Sequence, residues 1–116
     1  MIKGLFNSLL IIFQSKYMTK LMKYMIIEKH KPNSIEKIYE RFNSKGRLMP
    51  VGLFYIDSWI SRENPNICFQ VMETDDRQLL DEWISCWSDL TDFEVVETMT
   101  SGEAKKIFLK SEGSNV

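Results

Sequence analysis

Two acidic side chains and one histidine are the residues of this 116-residue chain best suited to proton transfer. Glu28 and His30 stand two positions apart, so in a strand they point to the same side, where a carboxylate can orient an imidazole. Asp57, in a second apolar run, offers another carboxylate. A carboxylate removed from water has a raised pKa and can exchange protons near neutral pH. The pattern therefore predicts Glu28, His30 and Asp57 as candidate catalytic residues.

An ordinary structural role explains the same three residues equally simply. Glu28 and Asp57 could pair with Lys23, Arg47 or a lysine of a partner chain, because ion-pair networks perturb carboxylates as catalysis does. His30 could be a solvated residue at a strand end. Catalysis and structure both remain open at this point.

A loop arginine and several aromatic side chains could hold a ligand beside these groups. Arg47 lies in a segment punctuated by Pro50 and Gly52, and arginine is suited to bidentate capture of a carboxylate. Strict alternation places four large side chains on the sheet face of Glu28, where they would form the walls of a site: Tyr24, Tyr55, Trp59 and Met72. We therefore predict a small organic molecule as a ligand bound by Arg47 and these four residues.

Motif spacing argues against the familiar cofactor and metal sites. The chain has no glycine-rich dinucleotide or phosphate loop, no nucleophile elbow and no HExxH motif. One histidine and two cysteines outside CxxC spacing cannot complete a zinc set, so we predict no metal and no cofactor. Cys68 and Cys86 are expected to be buried free thiols, which favours a reducing, cytoplasmic location.

The charges divide along the chain. Residues 1–50 hold ten Lys and Arg against three Asp and Glu, residues 51–116 hold five against thirteen, and the net charge is -1. Four of the early basic residues lie in or beside the N-terminal segment, namely Lys3, Lys16, Lys20 and Lys23. The others are scattered over a predicted strand, helix and loop, so we expect no nucleic acid as a partner.

The first 21 residues include an apolar stretch that is too short to span a bilayer. No small-residue cleavage site follows it, and its lysines are sparse for a helix that lies on a membrane surface. Secretion remains the alternative to a cytoplasmic location. We expect residues 1–21 to be an extension outside the domain, or the product of an upstream start, and we expect no membrane partner.

The rest of the sequence alternates short β-type runs with helical stripes. Residues 22–30 predict a strand, and apolar residues at helical spacing from Ile35 to Phe42 predict a helix that ends at Gly46. Further elements follow: strands at 53–61 and 67–74, a helix capped by Asp75, a strand at 93–99, and a short helix from Thr100.

This β-α-β-β-α-β order with an extra C-terminal helix predicts an α+β protein of the ferredoxin-like, split-βαβ type. Its sheet should have four antiparallel strands. We expect this domain to cover residues 22–110 and a flexible tail to cover 111–116.

Both faces of the predicted sheet are apolar. We expect the helices to cover the face formed by Met25, Ile27, Phe54, Ile56, Ile60, Phe69, Val71, Phe93 and Val95. The opposite face carries the predicted site residues together with Glu94, and so much apolar area marks a contact surface. We therefore predict a homodimer that forms through this second face.

Several runs resemble one family of short, mostly bacterial proteins. They include 22–28, 39–42, 46–50, 55–59, 68–76, 80–83, 87–90 and 92–95. The family is known as domain of unknown function 3303, and the resemblance extends from residue 22 to about residue 105. It implies a dimeric α+β barrel, akin in fold to small monooxygenases and isomerases, and it brings no assigned activity. We expect a protein that binds or transforms a small molecule beside the sheet, or alternatively a non-catalytic dimerisation or sensor module.

Overall fold

The computed structural model describes residues 21–109, so the predicted extension, apart from Leu21, and the predicted tail lie outside the described residues. The elements are β1 Met22–His30, α1 Ile35–Lys45, β2 Phe54–Ile60, β3 Ile67–Thr74, α2 Arg77–Ser85, β4 Thr91–Glu97 and α3 Ser101–Phe108. The strands form one sheet in the order β2-β3-β1-β4, and all neighbouring strands are antiparallel. The predicted ferredoxin-like α+β fold with an added C-terminal helix is thus confirmed.

The helices begin close to the predicted capping residues. The Thr100 hydroxyl oxygen accepts a hydrogen bond from the Glu103 backbone N–H at 3.0 Å, which starts α3 as predicted. Helix α2 starts one residue later than predicted, because Asp76 rather than Asp75 caps the Gln78 N–H, at 3.0 Å. The predicted boundaries therefore shift by a residue while the capping chemistry is retained.

The prediction of which sheet face the helices cover is wrong for β1 and β3. The buried core lies on the other face and is built from Tyr24, Ile26, Leu53, Met72, Leu80, Trp83 and Trp87. Phe93 and Val95 of β4 pack against this core, as predicted. Because both faces of the sheet are apolar, alternation separates the two sets of residues and cannot say which set the helices cover.

A β-bulge at Ile56 divides the predicted site. Tyr55 pairs with Met72 on the covered face, whereas Asp57 and Trp59 lie on the opposite, uncovered face. The extra residue resets the alternation of β2, so residues that strict period-2 spacing puts together are separated by the sheet.

The two cysteines differ in exposure. Cys68 is buried under the helices and Cys86 is exposed after α2, so the prediction of two buried thiols is correct only for Cys68. Within residues 21–109, none of the helices has the length and apolar character needed to cross a membrane.

Candidate functional site

A cavity of about 160 Å³ lies between the covered face of the sheet and the two helices α1 and α2. Strand residues form its floor and helix side chains its aromatic walls. The lining residues are His30, Ile38, Tyr39, Phe42, Arg47, Ser58, Ile60, Cys68, Gln70, Trp83 and Trp87. We call this the sheet–helix cavity.

Arg41 connects α1 to the segment that follows α2. Its guanidinium donates to both carboxylate oxygens of Asp89, at 2.8 and 2.7 Å, and to the Cys86 carbonyl at 2.8 Å. It also lies 5.4 Å from the ring centroid of Trp87. The bonded Arg41 holds the pKa of Asp89 below its usual range, so the pair stays charged.

The backbone of Arg47 is held by two tryptophans. The indole N–H groups of Trp83 and Trp87 both donate to the Arg47 carbonyl oxygen, at 2.9 and 3.1 Å. The next residue, Leu48, has a φ of 63°, a left-handed conformation that costs about 1–2 kcal/mol for a residue with a Cβ. The two indole bonds help to offset this strain, and they position Arg47 at the cavity.

The Arg47 guanidinium lies over two aromatic rings. Its guanidinium carbon lies 3.8 Å from the ring centroid of Tyr55 and 5.2 Å from that of Phe42. Stacking occupies the flat faces of a guanidinium and leaves its N–H groups, which lie in the plane, available at the edge. None of the ion pairs among residues 21–109 involves Arg47, so its charge is not paired with a carboxylate there.

Gln70 connects a buried carboxylate to the sheet–helix cavity. Its amide nitrogen donates to the Glu28 carboxylate, and each residue is only 6% exposed. Burial raises the pKa of Glu28, although the Gln70 bond, the Cys68 thiol and the charge of Arg47 act to lower it. The other amide atom, Gln70 Oε1, is buried and has no hydrogen-bond partner among the described residues. Glu28 itself does not line the cavity, so it acts there through Gln70.

Two further titratable groups line the sheet–helix cavity in neutral form. His30 Nδ1 lies 2.9 Å from the Thr91 hydroxyl oxygen, and burial lowers the pKa of the imidazole. Burial and the nearby Glu28 charge raise the pKa of the Cys68 thiol to about 12. Because nucleophilic chemistry at sulfur requires the thiolate, this cavity is built for hydrogen bonding and not for attack by Cys68.

The structure brings four of the eight predicted site residues together. His30 and Arg47 line the sheet–helix cavity. Glu28 accepts a hydrogen bond from Gln70, and the guanidinium of Arg47 lies over the ring of Tyr55. This group comes from β1, β2 and the loop after α1.

The other four predicted residues lie elsewhere. Tyr24 and Met72 belong to the core, with 4% and 0% of their surface exposed. Asp57 and Trp59 are on the uncovered face, where an Asp57 carboxylate oxygen accepts a hydrogen bond from the Ser58 backbone N–H at 2.7 Å. Asp57 and His30 are therefore separated by the sheet and cannot act on one bound molecule.

Sequence reasoning missed Gln70 and the wall residues. Trp83 and Trp87 are buried in the core, and both also line the cavity. One signal was present, since Gln70 is a polar residue within the otherwise apolar run from Ile67 to Met72 of β3. A buried amide in such a strand needs partners, and this predicts a polar feature inside the domain.

Comparison with known proteins shows which proteins this chain is similar to. A family model described as Domain of unknown function (DUF3303) matches residues 22–112. A comparison with the curated proteins finds no match. Similar solved structures include a proposed antibiotic biosynthesis monooxygenase from Bacteroides thetaiotaomicron, with 16% identity, coverage of 71% of this chain and 90% of that one, and a TM-score of 0.49. A Pseudomonas aeruginosa protein has 10% identity, coverage of 71% and 98%, and a TM-score of 0.46.

Proposed function

The chain belongs to the family described as Domain of unknown function (DUF3303), and on that premise we propose that it binds a small organic molecule in the sheet–helix cavity. One observation carries this proposal. A cavity of about 160 Å³ is walled by aromatic side chains and is also reached by polar groups from separate elements. Small-molecule sites combine apolar walls with a few polar groups that set the orientation of the ligand.

Binding accounts for the site better than covalent catalysis does. The Cys68 thiol, with its pKa of about 12, stays protonated near neutral pH. His30 is the predicted acid–base residue that faces the cavity, and as a neutral imidazole it can accept a proton from a bound molecule. We assign proton transfer, if the ligand is transformed, to His30, with Glu28 as a residue that positions Gln70.

Ligand binding is tested with single-ring molecules and the tryptophan signals of the protein. Two of the three tryptophans, Trp83 and Trp87, line the cavity, and Trp59 lies on the opposite face of the sheet. In ¹H–¹⁵N spectra, we expect neutral and anionic single-ring compounds to shift the indole signals of Trp83 and Trp87 and to leave that of Trp59 unchanged. A panel that shifts none of them, or all three equally, contradicts the proposal.

A matched pair of variants locates the binding. Ile38→Phe enlarges a side chain that lines the cavity, whereas Ile107→Phe makes the same change on α3, where the residue is 58% exposed. Ile38→Phe should abolish the indole shifts because the added ring occupies the cavity, and Ile107→Phe should retain them. Equal binding by both variants would place the ligand elsewhere.

A second candidate function, dimerisation, is favoured by the uncovered face of the sheet. Phe54 and Trp59 on β2 are 51% and 53% exposed there, and Val96 on β4, at the other edge of the sheet, is 42% exposed. The half-buried Met25 and Val71 continue the same surface between them. Such contiguous apolar area marks an interaction surface, and a two-fold symmetric pair of sheets would bury the same residues from both copies.

The oligomeric state in solution tests this second proposal. Light scattering should give twice the 13.7 kDa mass of one chain. Trp59→Glu places a charge on the uncovered face and should give the single-chain mass, whereas Phe108→Glu, at an exposed position of α3, should not. A single-chain mass for the unchanged protein at high concentration overturns the homodimer.

A further inference from the structure

We infer that the ligand of the sheet–helix cavity is a single-ring aromatic carboxylate that also carries a hydrogen-bond donor, such as a ring hydroxyl group. This inference rests on the proposed binding function and names the chemical class of the ligand. Three features of the cavity carry it: its size, the Arg47 cation, and an amide oxygen of Gln70 that has no hydrogen-bond partner among residues 21–109.

The size of the cavity suits one ring. An engineered apolar cavity of about 150 Å³ takes up benzene, so about 160 Å³ accommodates one six-membered ring. The walls are rings themselves, with Tyr39 and Phe42 on α1 and the indoles of Trp83 and Trp87 on the other side. Aromatic side chains favour stacked or edge-on contact with a planar ring over contact with a flexible chain.

Arg47 selects a carboxylate. Its backbone is held by the two indole bonds, its guanidinium carbon lies over the rings of Tyr55 and Phe42, and no ion pair among residues 21–109 uses its charge. The charge of Arg47 reaches the floor of the cavity, since it lowers the pKa of Cys68 against the effect of burial. A guanidinium with free in-plane N–H groups and fixed faces matches the two oxygens of a carboxylate.

Gln70 selects a hydrogen-bond donor. Gln70 donates its amide N–H to the Glu28 carboxylate, which leaves its other amide atom, the oxygen, to be satisfied by a different donor. That oxygen is buried, has no partner among the described residues and belongs to a residue that lines the cavity. A ligand hydroxyl group would satisfy it, whereas a ligand without a donor would leave it unpaired at a cost to affinity.

Matched ligands on the unchanged full-length protein separate these contributions. The probes are 2-, 3- and 4-hydroxybenzoate, the corresponding methoxybenzoates, which lack the donor, and phenol, which lacks the carboxylate. Dissociation constants come from the indole signals of Trp83 and Trp87. We expect the best hydroxybenzoate to bind about tenfold or more tightly than its methoxy analogue and than phenol, because each comparison removes one satisfied polar contact.

Two variants assign each preference to its residue. Arg47→Gln keeps the backbone carbonyl that the indoles hold and should bring the affinity for hydroxybenzoate down to that for phenol. Gln70→Met keeps the side-chain length and should make hydroxybenzoate and methoxybenzoate bind equally. Arg62→Gln, in the link between β2 and β3, is the matched control and should bind like the unchanged protein. If Gln70→Met does not fold, the hydroxy–methoxy comparison on the unchanged protein decides the question alone.

Different experimental results would overturn this inference and the proposed function. If methoxybenzoates and phenol bind as tightly as hydroxybenzoates and shift the same indole signals, a small-molecule site exists and the inferred ligand class is wrong. If none of the single-ring compounds, charged or neutral, shifts those signals, the binding function itself is overturned.

Discussion

The side chain of Gln70 on β3 donates a hydrogen bond to the carboxylate of Glu28 on β1, and both lie under the helices. This contact places a buried acid next to the sheet–helix cavity without exposing it there. It also determines which amide atom of Gln70 remains for a ligand. The same contact therefore affects both the stability of the folded protein and the polar groups that remain for a ligand of the cavity.

The variant Glu28→Gln should change the pH dependence of folding. Burial raises the pKa of Glu28 in the folded protein above its ordinary value of 4.5. Below that value both states are protonated and the group has no effect. As the pH rises from 4.5 through the folded-state pKa, the unfolded chain loses its proton first, so the stability of the folded state falls. Glu28→Gln removes this loss and should be more stable relative to the unchanged protein at about pH 7 than at about pH 4, as measured by urea unfolding.

The control for this prediction is Glu36→Gln, an exposed position on α1. Its stability relative to the unchanged protein should be similar at both pH values. A stability difference for Glu28→Gln that does not change with pH would contradict the role of burial at this carboxylate.

The two indole bonds to the Arg47 carbonyl predict a non-additive pair of variants. Trp83→Phe and Trp87→Phe each remove one donor and leave the other, so the loss of the hydrogen bond should cost about 1 kcal/mol in each. The double variant leaves the carbonyl without either donor, next to the strained Leu48. We expect its cost to exceed the sum of the single costs, measured as free energies of unfolding in urea.

The exposed Phe108 on α3 serves as the control for these substitutions, because it lies outside the core and outside the uncovered face of the sheet. Phe108→Leu, at a position 73% exposed, should change the free energy of unfolding by no more than about 0.5 kcal/mol. Strict additivity of Trp83→Phe and Trp87→Phe would show that the shared carbonyl does not couple them.

Gly52 is required by the loop that leads into β2. Its φ of 99° is rarely adopted by residues with a Cβ, and a Cβ there would lie 2.8 Å from Leu79 Cδ1. Gly52→Ala should destabilise the protein by about 1–3 kcal/mol, mainly through backbone strain, because the Leu79 side chain can move. The measurement is the thermal midpoint or urea unfolding.

Gly102→Ala is the matched control for Gly52→Ala. Gly102 lies in α3, and a Cβ there meets only the Thr100 hydroxyl oxygen at 3.8 Å, an ordinary contact. This substitution should leave stability unchanged or raise it by up to about 1 kcal/mol, since alanine favours helix more than glycine does. Equal losses in both variants would argue against a special role of the Gly52 backbone.

The two cysteines should react with thiol reagents at different rates. Cys86 is exposed, while Cys68 is buried and its pKa is raised to about 12. Mass spectrometry after iodoacetamide treatment of the folded protein should find Cys86 alkylated and Cys68 unmodified, with both modified in denaturant. Rapid labelling of Cys68 in the folded protein would mean that the floor of the cavity is open to solvent and its thiol ionised.

The sequence by itself was sufficient for the elements and their order. The run 22–30 became β1 with the predicted bounds, and the Thr100 cap with Glu103 began α3, because strand runs and caps depend on neighbouring residues along the chain. It also singled out His30 and Arg47 as candidates, and both residues line one cavity. Titratable and cationic residues at strand ends and in loops can be selected from the sequence alone, because this selection uses only the residue type and the position along the chain.

Only the tertiary structure decided which face of the sheet carries the candidate site. Both faces of the sheet are apolar, so the packing of α1 and α2 determined that Tyr24 and Met72 enter the core. The bulge at Ile56 then sent Asp57 and Trp59 to the other side, a change of register that depends on pairing with β3 and leaves no mark in period-2 spacing. The cavity forms where distant segments meet, and the contacts that define it exist only once the chain has folded.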